Sequence, residues 1–320
     1  TVRTMFSFVS AMLQKFAGID QPPVPTPKSM NQIPLPPQPI DQCPPPTEPE
    51  PHPNAVYTFK KPREQKFSIP NSIIKYMLEN PTGKAWKKLI QTCKYFFSQY
   101  PVFPIQSLSF EYGSRWDADR EIFDSNKFFP KLWLYGSLQC VDPRHPNTLQ
   151  KFILQVFKCN LNNLTVFCQT LSWDTYQILI SSGSFESMEF YKCSFTYSDG
   201  TDVTLDKLLE NIEHLEKFKI YCAHDSFMFQ SDTINKMMQI VSDIKNMRFF
   251  DLYGLDENFD FASFLDFLTD NERVYWSLQF ADSFHFSDEY KQIIENCIDI
   301  RKKLPKKSFD ILIPGFDGDR

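Results

Sequence analysis

The residues of this 320-residue chain best suited to chemistry are its eight cysteines and five histidines. Cys222 and His224 stand two apart, a spacing that suits a shared zinc ion. Tetrahedral zinc takes four such ligands, and neither a Cys-x-x-Cys pair nor a second Cys–His pair supplies the rest. No metal site is expected. His52, His145, His214, His224 and His285 fall in no His-Glu-x-x-His motif, and none accompanies a nucleophile motif. Asp117/Asp119 and Asp317/Asp319 are isolated acid pairs of the kind that solvent covers. "DENFDF" (256–261) lacks the Gly and the terminal Glu of a calcium loop. The nine glycines form neither G-x-G-x-x-G nor a phosphate loop. No catalytic residue and no cofactor is therefore expected. An enzyme whose groups converge only in the fold stays open as an alternative.

The elements around these residues point to a packed protein that works by binding. Apolar residues make up 42% of the chain, ample for a core. No apolar run reaches the ~18 residues of a membrane span, so a soluble chain with no membrane partner is expected. Cysteines in contexts such as "VFCQT" and "KIYCA" read as reduced, buried thiols of an intracellular protein. Net charge is −5, unevenly spread. Residues 1–58 carry −1, residues 59–97 carry +7 and residues 98–320 carry −11. A small basic module beside an acidic body suggests an acidic partner for the module. Nucleic acid is not expected, because the basic residues surround an apolar helical pattern and form no stripe. "RKKLPKK" (301–307) reads as the basic end of a helix, with a nuclear signal as the alternative. The expected compartment is the cytoplasm, the nucleus or both.

Four segments follow along the chain. In residues 1–20, Met5, Val9, Met12 and Phe16 recur at helical spacing, giving a short amphipathic helix or tail, with a targeting segment as the alternative. Residues 21–58 form a proline-rich arm, expected to be disordered, extended and without a core of its own. Residues 59–104 carry short apolar helices. Residues 105–320 alternate eight β-like runs with helical runs, which implies parallel strands in an α/β domain. The strand runs are 107–113, 131–137, 163–169, 187–193, 217–223, 249–255, 277–283 and 308–314. Their first apolar residues recur every 24 to 32 positions, a solenoid spacing.

Several units fit L-x-x-L-x-L, among them Leu161/Leu164/Val166, Phe185/Met188/Phe190 and Leu215/Phe218/Ile220. This resembles leucine-rich repeats of the long, helix-backed kind. The Asn or Cys of that pattern is met only by Cys193, so an irregular solenoid is expected, with a doubly wound sheet as the alternative.

Side chains alternate across a strand. One register puts Tyr135, Phe167, Tyr191, Tyr221 and Tyr253 on one face, with Trp133, Thr165, Glu189, Lys219 and Asp251 in the neighbouring row. Neighbouring parallel strands lie ~4.8 Å apart, so an aromatic ladder beside an alternating-charge row is expected. Aromatic residues with a polar tip are enriched at binding hot spots. The face is read as the surface for a protein substrate of unknown identity. The alternative is that the rings pack on one another only to support the sheet.

The helical segment carries a more specific pattern. In "FSIPNSIIKYMLENPTGKAWKKLIQTCKYFF" (67–97), apolar residues lie 3, 4, 7 and 8 positions after Pro70, and Cys93 lies 23 after it. "ENPTG" separates this stripe from a second one with Trp86, Leu89, Ile90, Cys93, Phe96 and Phe97. The pattern Ile69-Pro70, Ile73-Ile74, Met77-Leu78 and Thr92-Cys93-x-x-Phe96 resembles an F-box. It departs from that motif with Ile for Leu, Thr for Val and Phe for Trp. With its Phe-rich irregular repeats, the chain resembles the large nematode family of F-box proteins. That resemblance implies a non-catalytic subunit of the ubiquitin-conjugation pathway. It would dock on a Skp1-type adaptor, and through it a cullin, using Ile69, Pro70, Ile73, Ile74, Met77, Leu89, Cys93 and Phe96. The alternative is an interaction scaffold whose box packs on its own repeats.

Overall fold

The computed structural model describes residues 69–111, 115–123, 131–222, 228–230, 232–270, 273–281, 286–303 and 309–312. The expected N-terminal helix, the proline-rich arm and most of "RKKLPKK" lie outside them. Residues 72–320 form one compact unit and residues 1–71 another, of which only 69–71 are described. The module boundary expected at 104/105 falls inside the larger unit.

Three helices open the described chain: α1 (Asn71–Glu79), α2 (Gly83–Thr92) and α3 (Lys94–Gln99). Thr82 caps α2, its hydroxyl accepting from the Ala85 amide at 3.2 Å. Cys93 is extended, which ends α2 and starts α3. Then come β1 (Val102–Glu111), β2 (Trp116–Ala118), β3 (Glu121–Phe123), β4 (Lys131–Val141), α4 (Thr148–Ile153), β5 (Val156–Phe167) and β6 (Thr170–Ser172). Next are α5 (Trp173–Ile180), β7 (Ser187–Tyr191), β8 (Ser194–Thr196), α6 (Leu205–Leu209) and β9 (Lys217–Tyr221). The chain closes with α7 (Thr233–Asp243), β10 (Phe249–Leu255), α8 (Phe261–Asp270), β11 (Tyr275–Phe280), α9 (Asp288–Lys303) and β12 (Phe309–Leu312).

The fold is α/β around a ten-stranded, mostly parallel sheet. Its order is β12-β11-β10-β9-β7-β5-β4-β1-β2-β3, with β2 and β3 added antiparallel at one edge. From β1 to β12 the parallel strands follow chain order, without the reversal that defines a doubly wound sheet. All eight expected strands form. β6 and β8 make a separate parallel pair.

Two rows of side chains from this sheet make the core. One runs Leu108, Leu138, Leu164, Met188, Phe218, Phe250 and Trp276. The other runs Phe110, Cys140, Val166, Phe190, Ile220, Leu252 and Leu278, and all fourteen residues are buried. The helices cover this side: Tyr176 of α5 packs on Phe190, Phe264 of α8 on Trp276, and Tyr290 of α9 on Phe280. In β7, β9 and β11 the intervening residues stay half-exposed or exposed, giving alternating burial, whereas β1 and β4 begin with runs buried on both faces (Val102–Ile105 and Leu132–Leu134). A parallel sheet usually has both faces covered. Here, among the described residues, the second face is open from β7 to β11.

Candidate functional site

The open face is built from three rows. The row nearest the strand starts is small and polar at one end (Ser107, Ser137, Asn163, Ser187) and turns to Lys217, Phe249 and Tyr275 at the other. The middle row is Ser109, Gln139, Thr165, Glu189, Lys219, Asp251, Ser277 and Asp310. The row at the strand ends is Glu111, Val141, Phe167, Tyr191, Tyr221, Tyr253 and Gln279.

Four of the five expected ladder aromatics therefore stand side by side. Phe167 and Tyr191 stack at 5.1 Å, Tyr191 and Tyr221 meet at 4.7 Å, and Tyr221 and Tyr253 lie nearly parallel at 6.5 Å. Tyr191 is 37% exposed, and the other three are half-buried. The strands end alike here: the amides of Cys168, Lys192 and Cys222 each donate to the carbonyl of the next strand's tyrosine. At the repeat position of a ladder asparagine, the buried Gln169 donates to the carbonyls of Asp142 and His145, and the Cys193 thiol donates to Val166 O at 3.3 Å.

The fifth ladder position is a correction. β4 and β5 pair Val141 with Phe167, and Tyr135 with Asn160, so the ladder begins at Val141. The cause is length and a bulge. β4 and β5 run 11 and 12 residues, and their register slips at Gly136/Ser137. Gly136 has φ +109°, and a Cβ there would fall 2.5 Å from Gln106 O, so the kink needs glycine. Trp133 and Tyr135 sit at the other end of the strands. Trp133 is only 2% exposed and donates to Asn160 Oδ1 at 2.9 Å. Neither belongs to the ladder.

The charge row also differs from expectation. Glu189 and Asp251 flank Lys219 in register, but the short ion pair is Lys217 Nζ to Glu189 Oε1 at 2.6 Å. Lys219 instead lies over the Tyr253 ring at 4.8 Å. Burial pushes the Asp251 carboxyl up, opposed by Lys219 and Lys217. The Lys217 ammonium is held above its usual range by its hydrogen bond to Glu189. Sequence reasoning missed Lys192, whose ammonium lies 5.8 and 5.7 Å from the Tyr191 and Tyr221 rings. Its left-handed backbone (φ +52°) sets the turn that follows Tyr191, and no residue type signals that in advance.

The helical segment is anchored to the first strands. Trp86 is fully buried, donates from Nε1 to Val102 O at 3.0 Å, and meets Phe96 and Tyr100 edge-on. Gly83 rests on the Tyr135 ring, where a Cβ would fall 2.2 Å from Cγ. Lys87 pairs with Asp119, whose carboxylate also accepts from the Gln106 and Ser107 amides at the β1 bulge. Of the expected adaptor contacts, Ile74 and Phe96 are buried, Met77, Leu89 and Cys93 are half-buried, and Ile69, Pro70 and Ile73 are exposed. Ile73 is 48% exposed and Tyr76, one turn on, 65%. Ile74 and Phe96 thus face inward and offer no direct surface to a partner.

Among the described residues, no three His, Cys, Asp or Glu side chains cluster as a metal site, and no helix is long and apolar enough to cross a membrane. His224 lies outside them. Burial pushes the thiols of Cys140, Cys159, Cys193 and Cys222 up to about 12, so they stay protonated. Two open cavities of about 430 and 700 Å³ flank Asn211, Glu213 and His214. The Ser181 and Ser182 hydroxyls bordering the smaller one bind Ile178 O and Ser184 Oγ, and no hydrogen bond joins either to His214. A scan against protein-family models finds no match, and a search of curated proteins finds none either.

Proposed function

We propose that this chain is the substrate-recognition subunit of a Skp1–cullin–F-box ubiquitin ligase. In this reading, residues 59–104 are an F-box-like module that docks on a Skp1-type adaptor. The parallel sheet is an irregular leucine-rich-repeat-like solenoid, and its open face holds a protein substrate. The observation that carries the reading is the outward placement of Ile73 and Tyr76 on α1. Apolar side chains one turn apart and facing solvent are what a helix-in-groove contact needs. Ile73 falls at a motif position three residues after Pro70. The +7 charge of residues 59–97 suits an acidic adaptor. Strand order that follows the chain, with helices on one side and an open face on the other, supports the solenoid. A recognition subunit needs no catalytic group of its own.

The test is capture of a purified Skp1-type adaptor by the full chain, repeated with Ile73→Asp. Exposed Ile73 is the better probe, because Ile74→Asp would bury a charge and unfold the module. A second reading is favoured by Trp86, Gly83 and Lys87, which tie the box to β1, β4 and Asp119. On that reading the chain is a scaffold whose box serves only its own sheet. It predicts no adaptor capture by folded wild type.

A further inference from the structure

We infer that the aromatic rim of the open face takes an extended, carboxylate-rich peptide segment lying across the strand ends from Phe167 to Tyr253. The inference rests on reading the open face as the substrate surface and adds the class of substrate. The four rings span three strand-to-strand steps, ~14 Å, which four or five extended residues cover.

The hydrogen-bonding groups of the rim are unbalanced. Three acids of the face are already engaged: Glu189 accepts from Lys217, Asp310 from the Tyr275 hydroxyl and Glu111 from Gln139. Asp251 faces Lys219 across the strands without an ion pair to it, the Lys219 ammonium lying over the Tyr253 ring. The donors at the strand ends have no such partner. Among the described residues, no carboxylate pairs with Lys192 or Lys219, whose ammoniums lie over tyrosine rings. A ring face compensates part of the charge and leaves N–H donors for another acceptor. The Tyr191, Tyr221 and Tyr253 hydroxyls make no hydrogen bond among the described residues either. Two cations and three hydroxyls, held in place by stacked rings, match a partner rich in acceptors and negative charge. The body's −11 does not decide this, because exposed charges beyond ~8–10 Å are screened while the rim acts at contact. A single-stranded nucleic acid fits less well. The rings at 5.1 and 4.7 Å are already in contact with one another and leave no slot for a base between them, and a long polyanion feels the body's charge throughout.

The test uses the full chain and fluorescence anisotropy with three labelled probes: an alternating Glu–Phe octapeptide, its Lys–Phe counterpart and an oligouridine. The Glu–Phe peptide should bind on the order of tenfold more tightly than the Lys–Phe peptide, and Lys192→Glu with Lys219→Glu should reverse that order. Equal binding of the peptides, preference for the Lys–Phe peptide or the oligouridine, no binding at all, or an unchanged order in the double variant overturns the inference. Tyr191→Ala separates the two levels. If it weakens whichever probe binds best, the face is still the binding surface and only the class is wrong. If that binding is unchanged, the surface reading itself falls.

Discussion

Replacing Tyr191 by Ala separates a ladder that binds from one that merely supports the sheet. Tyr191 meets Phe167 at 5.1 Å and Tyr221 at 4.7 Å, and over a third of it already faces water. Each such ring pair is worth ~0.5–1.5 kcal/mol beyond area burial, and the exposure trims the burial that is lost. For the two pairs the expected cost is therefore about 1–3 kcal/mol. Phe218 is the internal standard. It lies in the core row on β9, the strand beside Tyr191's, fully buried between Phe190 and Phe250, and truncating such a ring costs about 3–5 kcal/mol. Urea unfolding of both variants, followed by tryptophan fluorescence, reads the difference directly. Tyr191→Ala should keep most of the wild-type midpoint and weaken capture of a face-binding partner. A loss equal to that of Phe218→Ala would place the tyrosine row in the core and refute the open-face account.

Three further outcomes follow from the same geometry. Gly83→Ala, at the first position of α2 after the Thr82 cap, drives a Cβ into the Tyr135 ring, an overpacking cost of about 1–3 kcal/mol; it should lower the melting temperature, and adding Tyr135→Ala should relieve the clash. Burial, with Asp119 nearby, pushes the Tyr135 hydroxyl from 10 up to about 12, so the folded state keeps a proton that the unfolded state loses. That stability is complete below pH ~10 and lost as pH rises through 12, and in Tyr135→Phe the alkaline limb of the stability curve should be shallower. With thiols near 12, the thiolate fraction of Cys140, Cys159, Cys193 and Cys222 at pH 8 is on the order of 10⁻⁴. Under native conditions, of these six described cysteines mass spectrometry should find iodoacetamide on half-buried Cys93 or Cys168 first, and labelling of Cys222 ahead of them would contradict the packing.

How far the sequence could be read depended on what each feature rests on. Strand spacing and alternation come from burial of every second side chain, so Phe167, Tyr191, Tyr221 and Tyr253 were legible as one row. The Tyr135 register was not, because "KLWLYGS" fits the repeat as well as the correct "SLQCV" does, and only the bulge decides between them. Pairing over distance was equally hidden. Lys87 counts as one more basic residue of the module until the β2–β3 turn, with Asp119 and Arg120 both left-handed, brings the Asp119 carboxylate to it. The inward turn of Ile74 and the outward turn of Ile73 depend on how α1 is buried, which adjacent apolar letters do not reveal.

The most direct measurement is co-purification of a Skp1-type adaptor with the full-length chain and with its Ile73→Asp variant. Circular dichroism and melting temperature should first show that both are folded, since Ile73 points to solvent. The account predicts stoichiometric capture by wild type and loss of capture in the variant at unchanged stability. Folded wild type that captures no adaptor would contradict it and leave the scaffold reading in its place.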